Sequence, residues 1–369
     1  MVPRRALAGL AVGAWVILGL EAASAGSRYI DTHMHLHPQG LDAVMAPGGR
    51  RPFAGGGPGD EAASLATAAD NLVIKMDRQG VEKALIVTVP AGRQSGEAVY
   101  RAMREAVRGH PGRLFLMAGG AILGPMIQET DPDHVPAALQ RRFEARAEEL
   151  LEDGAKGFGE MISYHLCMAE GHSFQVAPAD HPLFLTLADI AARRDVPIDI
   201  HMEAVETPVR TPDNLLRACR ANPRVIEPTI AALERLLGHN RKARIVWQHI
   251  GWDNVGQMRL GLLRRLLDRH PNLYLALRVE ARVGQVGGGG PMPNRIVDQQ
   301  MRIHRDWRTF ITDYQDRLMI GADEFIGPVE RRRKRAQSFS ETWSILAQLP
   351  PPVAAKIGRD NAARVYRLD

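Results

Sequence analysis

Short apolar runs rich in Val, Ile and Leu alternate along this chain with longer stretches whose apolar positions recur every three or four residues. The first pattern suits strands buried on both faces, the second helices that lay one face on a core. The runs predict strands at 29–36, 82–89, 113–119, 155–161, 197–202, 243–250, 273–279 and 318–322. The helical periodicity predicts helices near 66–79, 97–108, 135–151, 182–194, 229–237, 255–267, 295–314 and 334–346. Strands that each lead into a helix close most naturally into an α/β, (β/α)8 TIM barrel, whose active site sits where the strands end. An extra C-terminal helix over 352–366 is expected against the barrel exterior or bottom. The open doubly wound sheet is disfavoured, because no Gly-x-Gly-x-x-Gly follows an early strand. Two Gly- and Pro-rich insertions, 38–60 after the first strand and 284–293 after the seventh, fall on the predicted catalytic face. Loops there serve as lids and substrate walls, or as flexible filler.

Composition changes this picture at the N-terminus. Arg4 and Arg5 precede an apolar stretch over 6–20, and Ala23-Ser24-Ala25 follows. That is the layout of a signal peptide over 1–25 with cleavage before Gly26, leaving one barrel domain over 26–369 and a periplasmic or secreted location. The stretch is shorter than the roughly 20 residues that span a bilayer, so no stable membrane insertion is expected after cleavage. The paired arginines leave both the Sec and the twin-arginine route open. A net charge of +5 spread over the chain does not call for nucleic acid. The dense basic run at 331–335 lacks the interleaved aromatics of a single-strand platform and reads as a solvated helix start. Cys167 and Cys219 lie on segments assigned to different βα units, and two free, buried thiols are expected. A homo-oligomer is left open.

Candidate chemistry lies at the predicted strand ends. In Asp31-Thr32-His33-Met34-His35-Leu36-His37, residues two apart share a strand face, so His33 and His35 point together into the barrel mouth and Met34 points outward. Two imidazoles so placed can meet one divalent ion at about 2.0–2.1 Å, with Asp31 one step deeper as their partner. His201 ends the fifth strand, His249 the sixth and Asp323 the eighth. Glu160 closes the fourth, where it can ligate a metal, bridge two, hold the attacking water, or instead pair with Arg278. Lys156 shares its parity but lies deeper, and His37 falls in the loop beyond its strand; neither is expected to be a ligand.

These residues, with the tail Lys356-Ile357-Gly358-Arg359-Asp360-Asn361-Ala362-Ala363-Arg364-Val365-Tyr366, resemble the metal-dependent amidohydrolase superfamily over residues 29–367. Within it the chain is most similar to the branch that holds aminocarboxymuconate-semialdehyde decarboxylases and pyrone-dicarboxylate lactonases. The resemblance implies His33, His35 and His201 as imidazole ligands and Asp323 as ligand or proton carrier. It implies His249 as a group that binds a second ion or polarises the substrate. Glu160 departs from the decarboxylase pattern and resembles hydrolytic members whose strand-four glutamate reaches the metal.

The expected activity is therefore a metal-dependent hydrolase acting on an amide, lactone or ester-like bond of a small molecule, with Zn2+ as the metal and one ion favoured over two. Asp323, His249 and Glu160 would carry the catalysis, and Arg278, Glu280, His165 and His172 would line the substrate pocket. The alternatives are a metal-dependent decarboxylase and a non-catalytic metal-containing binding protein.

Overall fold

A computed structural model of the chain describes residues 28–38, 58–89, 96–168, 172–279, 292–329 and 338–368. Parallel strands follow one another round a ring in chain order: β1 (Tyr29–Leu36), β2 (Val81–Val87), β3 (Leu114–Gly119), β4 (Phe158–His165), β5 (Pro197–Met202), β6 (Arg244–Ile250), β7 (Leu273–Leu277) and β8 (Leu318–Ile320). After β8 the chain bends through Gly321 to Asp323 and re-enters the sheet as Glu324–Ile326, which pairs in parallel with β1 through Met34↔Glu324 and His35↔Phe325. The ring is thereby closed between its first and last strands.

Outside the ring lie α1 (Pro58–Gln79), α2 (Gly96–Arg108), α3 (Ala137–Glu152), α4 (Pro182–Arg194), α5 (Ile230–His239), α6 (Leu260–Arg269), α7 (Arg305–Asp313) and α8 (Ser338–Ser344). Strand parity sorts the side chains into two cores. On β5, Ile198, Ile200 and Met202 join the large cluster between strands and helices, while Asp199 and His201 turn inward. Met34 belongs to that outer cluster, between His33 and His35, which turn inward. The inner core is small and apolar, with Ile30, Val87, Met117, Val246 and Met319, and it is sealed by Ala362, Val365 and Tyr366.

These last residues settle where the C-terminal helix goes. Pro351–Ala355, a π turn over Lys356–Asp360 and Asn361–Tyr366 cross the floor of the barrel rather than its side. Asn361 Nδ2 donates to the carbonyls of Gln315 and Leu318 at 2.6 and 2.8 Å, at the foot of β8.

Several local expectations are corrected. The helix expected over 295–314 is only Arg305–Asp313, because Asp298 accepts the backbone N–H groups of Gln300 and Arg302, both at 2.9 Å, and holds that stretch in a turn. The helix expected from 255 starts at Leu260 for the same reason: Asp253 takes the N–H groups of Val255, Gly256 and Met258. Cys167 and Cys219 are not free thiols but a disulfide, with Cα atoms 5.8 Å apart. Their segments follow the neighbouring strands β4 and β5 and converge at one side of the mouth. Asn222 braces the crosslink, its side chain bonding both the N–H and the C=O of Cys167 at 2.8 Å.

The proposed leader and the basic run 331–335 lie outside the described residues, as do most of the insertions 38–60 and 284–293. Among the described residues no helix is long and apolar enough to cross a membrane.

Candidate metal centre

The strand ends bring His33, His35, Glu160, His201, His249 and Asp323 together inside the mouth. His33 Nε2 and His35 Nε2 lie 3.2 Å apart, and Asp323 Oδ1 is 3.1 Å from the latter and 3.9 Å from the former. Glu160 Oε2 lies 3.7 Å from His33 Nε2 and 4.0 Å from His35 Nε2. A four-coordinate ion with ligands at about 2.0–2.1 Å keeps its donor atoms about 3.4 Å from one another, so this spacing fits an ion. Glu160 Oε1 faces the other way, 2.6 Å from His201 Nδ1 and 2.8 Å from His249 Nε2. Two overlapping donor sets result: His33, His35 and Asp323, and His33, Glu160 and His249. His201 reaches the cluster through Glu160 and belongs to neither set.

Electrostatics keep Glu160, Asp323 and His249 in ligand form. Burial pushes the Glu160 carboxyl up, but the imidazoles of His33 and His201 and the hydrogen bonds from His201 and His249 overcome this and hold it well below its usual range. Asp323 behaves alike: burial raises it, and the Arg278 guanidinium, then His249 and His35, bring it well below. His249 is driven down to about 4 by burial, so its ring is neutral at pH 7. His201 keeps a raised value despite burial, because Glu160 sits against it.

Backbone geometry explains how two of these side chains reach the centre. On β6, Ile245 and Trp247 face the helices, so strict alternation would send His249 outward as well. His249 instead has φ 63°, a left-handed conformation that turns its ring inward, and Asp323 has φ 53°. Such backbone in a non-glycine residue costs about 1–2 kcal/mol and is retained where surrounding contacts enforce it.

A pairing irregularity on β1 between Asp31 and Met34 also breaks parity. The expected role of Asp31 beside the imidazoles is therefore corrected. Its carboxylate accepts the N–H groups of His33 at 3.0 Å and Ala322 at 3.2 Å and the Trp343 indole N–H at 3.1 Å, bracing β1 against the bend after β8 and against α8. On β4 the same kind of shift, between Phe158 and Met161, separates Phe158, which joins the outer core, from Glu160. β4 runs on to His165, so Glu160 lies within the strand rather than at its end. Lys156 precedes β4, with its ammonium 5.6 Å from the centre of the Phe115 ring.

Around the cluster, Arg278 pairs with Asp323 Oδ2 rather than with Glu160, and its guanidinium lies 3.9 Å over the Trp252 ring. His165 packs edge-on against both His201 and His172, extending a belt of imidazoles from the centre to the rim. Burial holds His165 well below its usual value and takes His172 down to about 4. Glu280 lies outside the described residues. Sequence reasoning missed Trp252, and Phe325, which stacks on His35 with ring centres 4.1 Å apart. It also missed Asp199, although parity with His201 was a usable signal.

The amidohydrolase family model matches residues 30–368. No curated protein matches the chain. Among solved structures it resembles 4-oxalomesaconate hydratase from Rhodopseudomonas palustris at 15% identity and a TM-score of 0.52, over 92% of this chain and 96% of that one. It also resembles 2,6-dihydroxybenzoate decarboxylase at 15% identity and a TM-score of 0.49, over 93% of this chain and all (100%) of that one. At 15% identity the likeness to the hydratase is one of fold. With a family match over nearly the whole chain and a buried His/Glu/Asp cluster spaced for a divalent ion, this chain belongs to the amidohydrolase family, as a metal-dependent hydrolase acting on a small molecule.

Proposed function

We propose that this chain is an exported hydrolase of the amidohydrolase-related branch that cleaves an amide, lactone or ester-like bond, and that Glu160 is the carboxylate that would serve two Zn2+ ions. The observation that carries the two-ion reading is the division of Glu160: Oε2 faces His33 and His35, while Oε1 faces His201 and His249. In this reading His33, His35 and Asp323 would hold one ion and His201 and His249 the other. The set of His33, His35 and Asp323 suffices for the single ion that the sequence favours, and the second ion is the added part of this proposal. Such ions polarise a scissile carbonyl and acidify water.

The chain's own groups do the rest. Asp323, kept ionised by Arg278, takes the proton of the attacking water and returns it to the leaving group. Arg278, flattened on Trp252, presents a guanidinium at the edge of the centre, where an acidic group of the substrate would pair with it. His165 and His172, both held neutral, form a wall of the pocket. Export is supported by the Cys167–Cys219 disulfide, since such bonds persist in oxidising compartments.

The test is metal analysis of the purified protein together with a screen of lactones, amides, esters and phosphoesters against the Zn2+-loaded form, with products examined for CO2. Two equivalents of metal and hydrolysis without CO2 are expected. Release of CO2 from a carboxylated substrate would replace hydrolase with decarboxylase, and tight metal without turnover would favour a binding protein. Intact mass of protein from the extracytoplasmic fraction should place the N-terminus at or near Gly26; a full-length cytoplasmic chain would overturn export.

A further inference from the structure

Between the metal cluster and the C-terminal helix lies a layer of polar side chains that the chemistry above does not use. Thr32, Asp199, Gln248 and Tyr366 are each at most 1% exposed. They come from the elements that carry the centre: Thr32 precedes His33, Gln248 precedes His249, and Asp199 shares the inward face of β5 with His201 two residues on. Tyr366 donates its hydroxyl to Asp199 Oδ1 at 2.7 Å.

Close approach makes this contact consequential. A Cβ added to Gly159 would lie 3.0 Å from Asp199 Cβ and 3.5 Å from Asp199 Oδ2, so Asp199 packs directly beneath the peptide that leads into Glu160. A Cβ added to Gly321 would meet His33 Cβ at 3.0 Å, Gln248 Oε1 at 3.1 Å and Thr32 Oγ1 at 3.2 Å. The layer therefore touches the backbone under Glu160, His33 and Asp323. It is not there for packing alone: the layer is polar and fully buried, with Tyr366 bonded to Asp199 and the Gln248 and Thr32 side chains set against that pair. Burying such groups in an otherwise apolar barrel costs stability that a hydrophobic floor would not.

We propose that Tyr366 is a positioning residue for the metal centre, acting through Asp199 to hold Glu160 and His201 at the spacing at which they share an ion. The inference rests on the two-ion reading of Glu160, His201 and His249.

The experiment uses the full-length mature protein loaded with Co2+ and compares wild type, Tyr366→Phe, Asp199→Ala and the double variant. The readouts are Co2+ stoichiometry, the visible spectrum of bound Co2+, its rate of loss to a chelator, and Tm. Tyr366→Phe should lose Co2+ about 10-fold faster with a changed spectrum, as removal of outer partners does at other metal sites, while remaining folded. The double variant should be no worse than Asp199→Ala. Wild-type spectrum and loss rate in Tyr366→Phe would overturn the inference, as would additive effects in the double variant. If Tyr366→Phe does not fold, Asp199→Ala gives the same reading with the tyrosine still packed. Wild type that binds a single Co2+ would fail the two-ion reading, and the inference would then stand or fall on the loss rate of that one ion.

Discussion

Glu160 Oε1 lies within 2.8 Å of nitrogens from both His201 and His249, so one carboxylate oxygen joins the ends of β5 and β6 while its twin faces β1. A shared carboxylate makes a specific demand. Glu160→Gln offers one oxygen and one amide donor in the same volume, and should lower the metal content from two equivalents to one and turnover by about 100-fold or more. Elemental analysis beside steady-state rates reads both; two equivalents retained in Glu160→Gln would remove the bridging role.

Asp323 separates metal retention from proton transfer. Its Oδ1 faces the paired imidazoles and its Oδ2 is held by Arg278. Asp323→Asn keeps an amide oxygen able to face the ion, so most of the metal should remain, while turnover falls by about 100-fold because the proton acceptor is gone. Near-wild-type turnover in Asp323→Asn would take the shuttle role from this residue.

The disulfide should be a large stabiliser. Cys167 and Cys219 are 52 residues apart, and closing a loop of that length restricts the unfolded chain by about 4 kcal/mol in the loop-entropy model. Cys167→Ala with Cys219→Ala should lower unfolding stability by about 3–4 kcal/mol in denaturant titrations. A double variant as stable as wild type would show that the crosslink adds nothing to the fold.

Acid should weaken the fold partly through His181, which caps α4. Its Nδ1 accepts the Leu183 N–H at 3.1 Å, and its Nε2 lies 3.1 Å from the Thr130 carbonyl, so the neutral ring is the one that fits. Burial holds its value below the ordinary 6.5 against the opposing pull of Thr130, Asp180 and Asp131. The unfolded chain therefore takes up a proton first as pH falls below about 6.5, and the stability His181 contributes is full above that pH and lost as pH drops through the folded value. His181→Asn, a cap without a charge to gain, should lose less stability than wild type between about pH 7.5 and 5.5 in urea titrations. Equal losses would remove His181 as a source of acid sensitivity.

Most of the barrel was legible because the strands are short and rich in Val, Ile, Leu and Met and the helices between them carry a one-sided apolar face. The ligand candidates were legible as types of residue at strand ends. What alternation could not supply was direction: it turns Asp31 toward His33 and His249 toward the helices, and the β1 irregularity and the left-handed backbone at His249 reverse both. The turn at Asp298 and the crosslink between Cys167 and Cys219 depend on side-chain competition and on loops meeting in space, which periodicity does not encode. Tyr366 was read only as part of an end helix, since nothing in its own segment says that its hydroxyl enters the barrel.

The seam of the ring also determines when a metal site exists. Barrel closure rests on Leu318–Ile320 and Glu324–Ile326, two strand segments of three residues each, and His35 meets Asp323 across 288 positions of sequence. Contacts so distant form late, after the loop-closure entropy has been met by the rest of the fold. No fragment carrying β1 without β8 can present this pair of donors. An ion gripped there would act as a clasp on the seam, tightening a pairing of only three residues by an amount that grows with the logarithm of its own concentration.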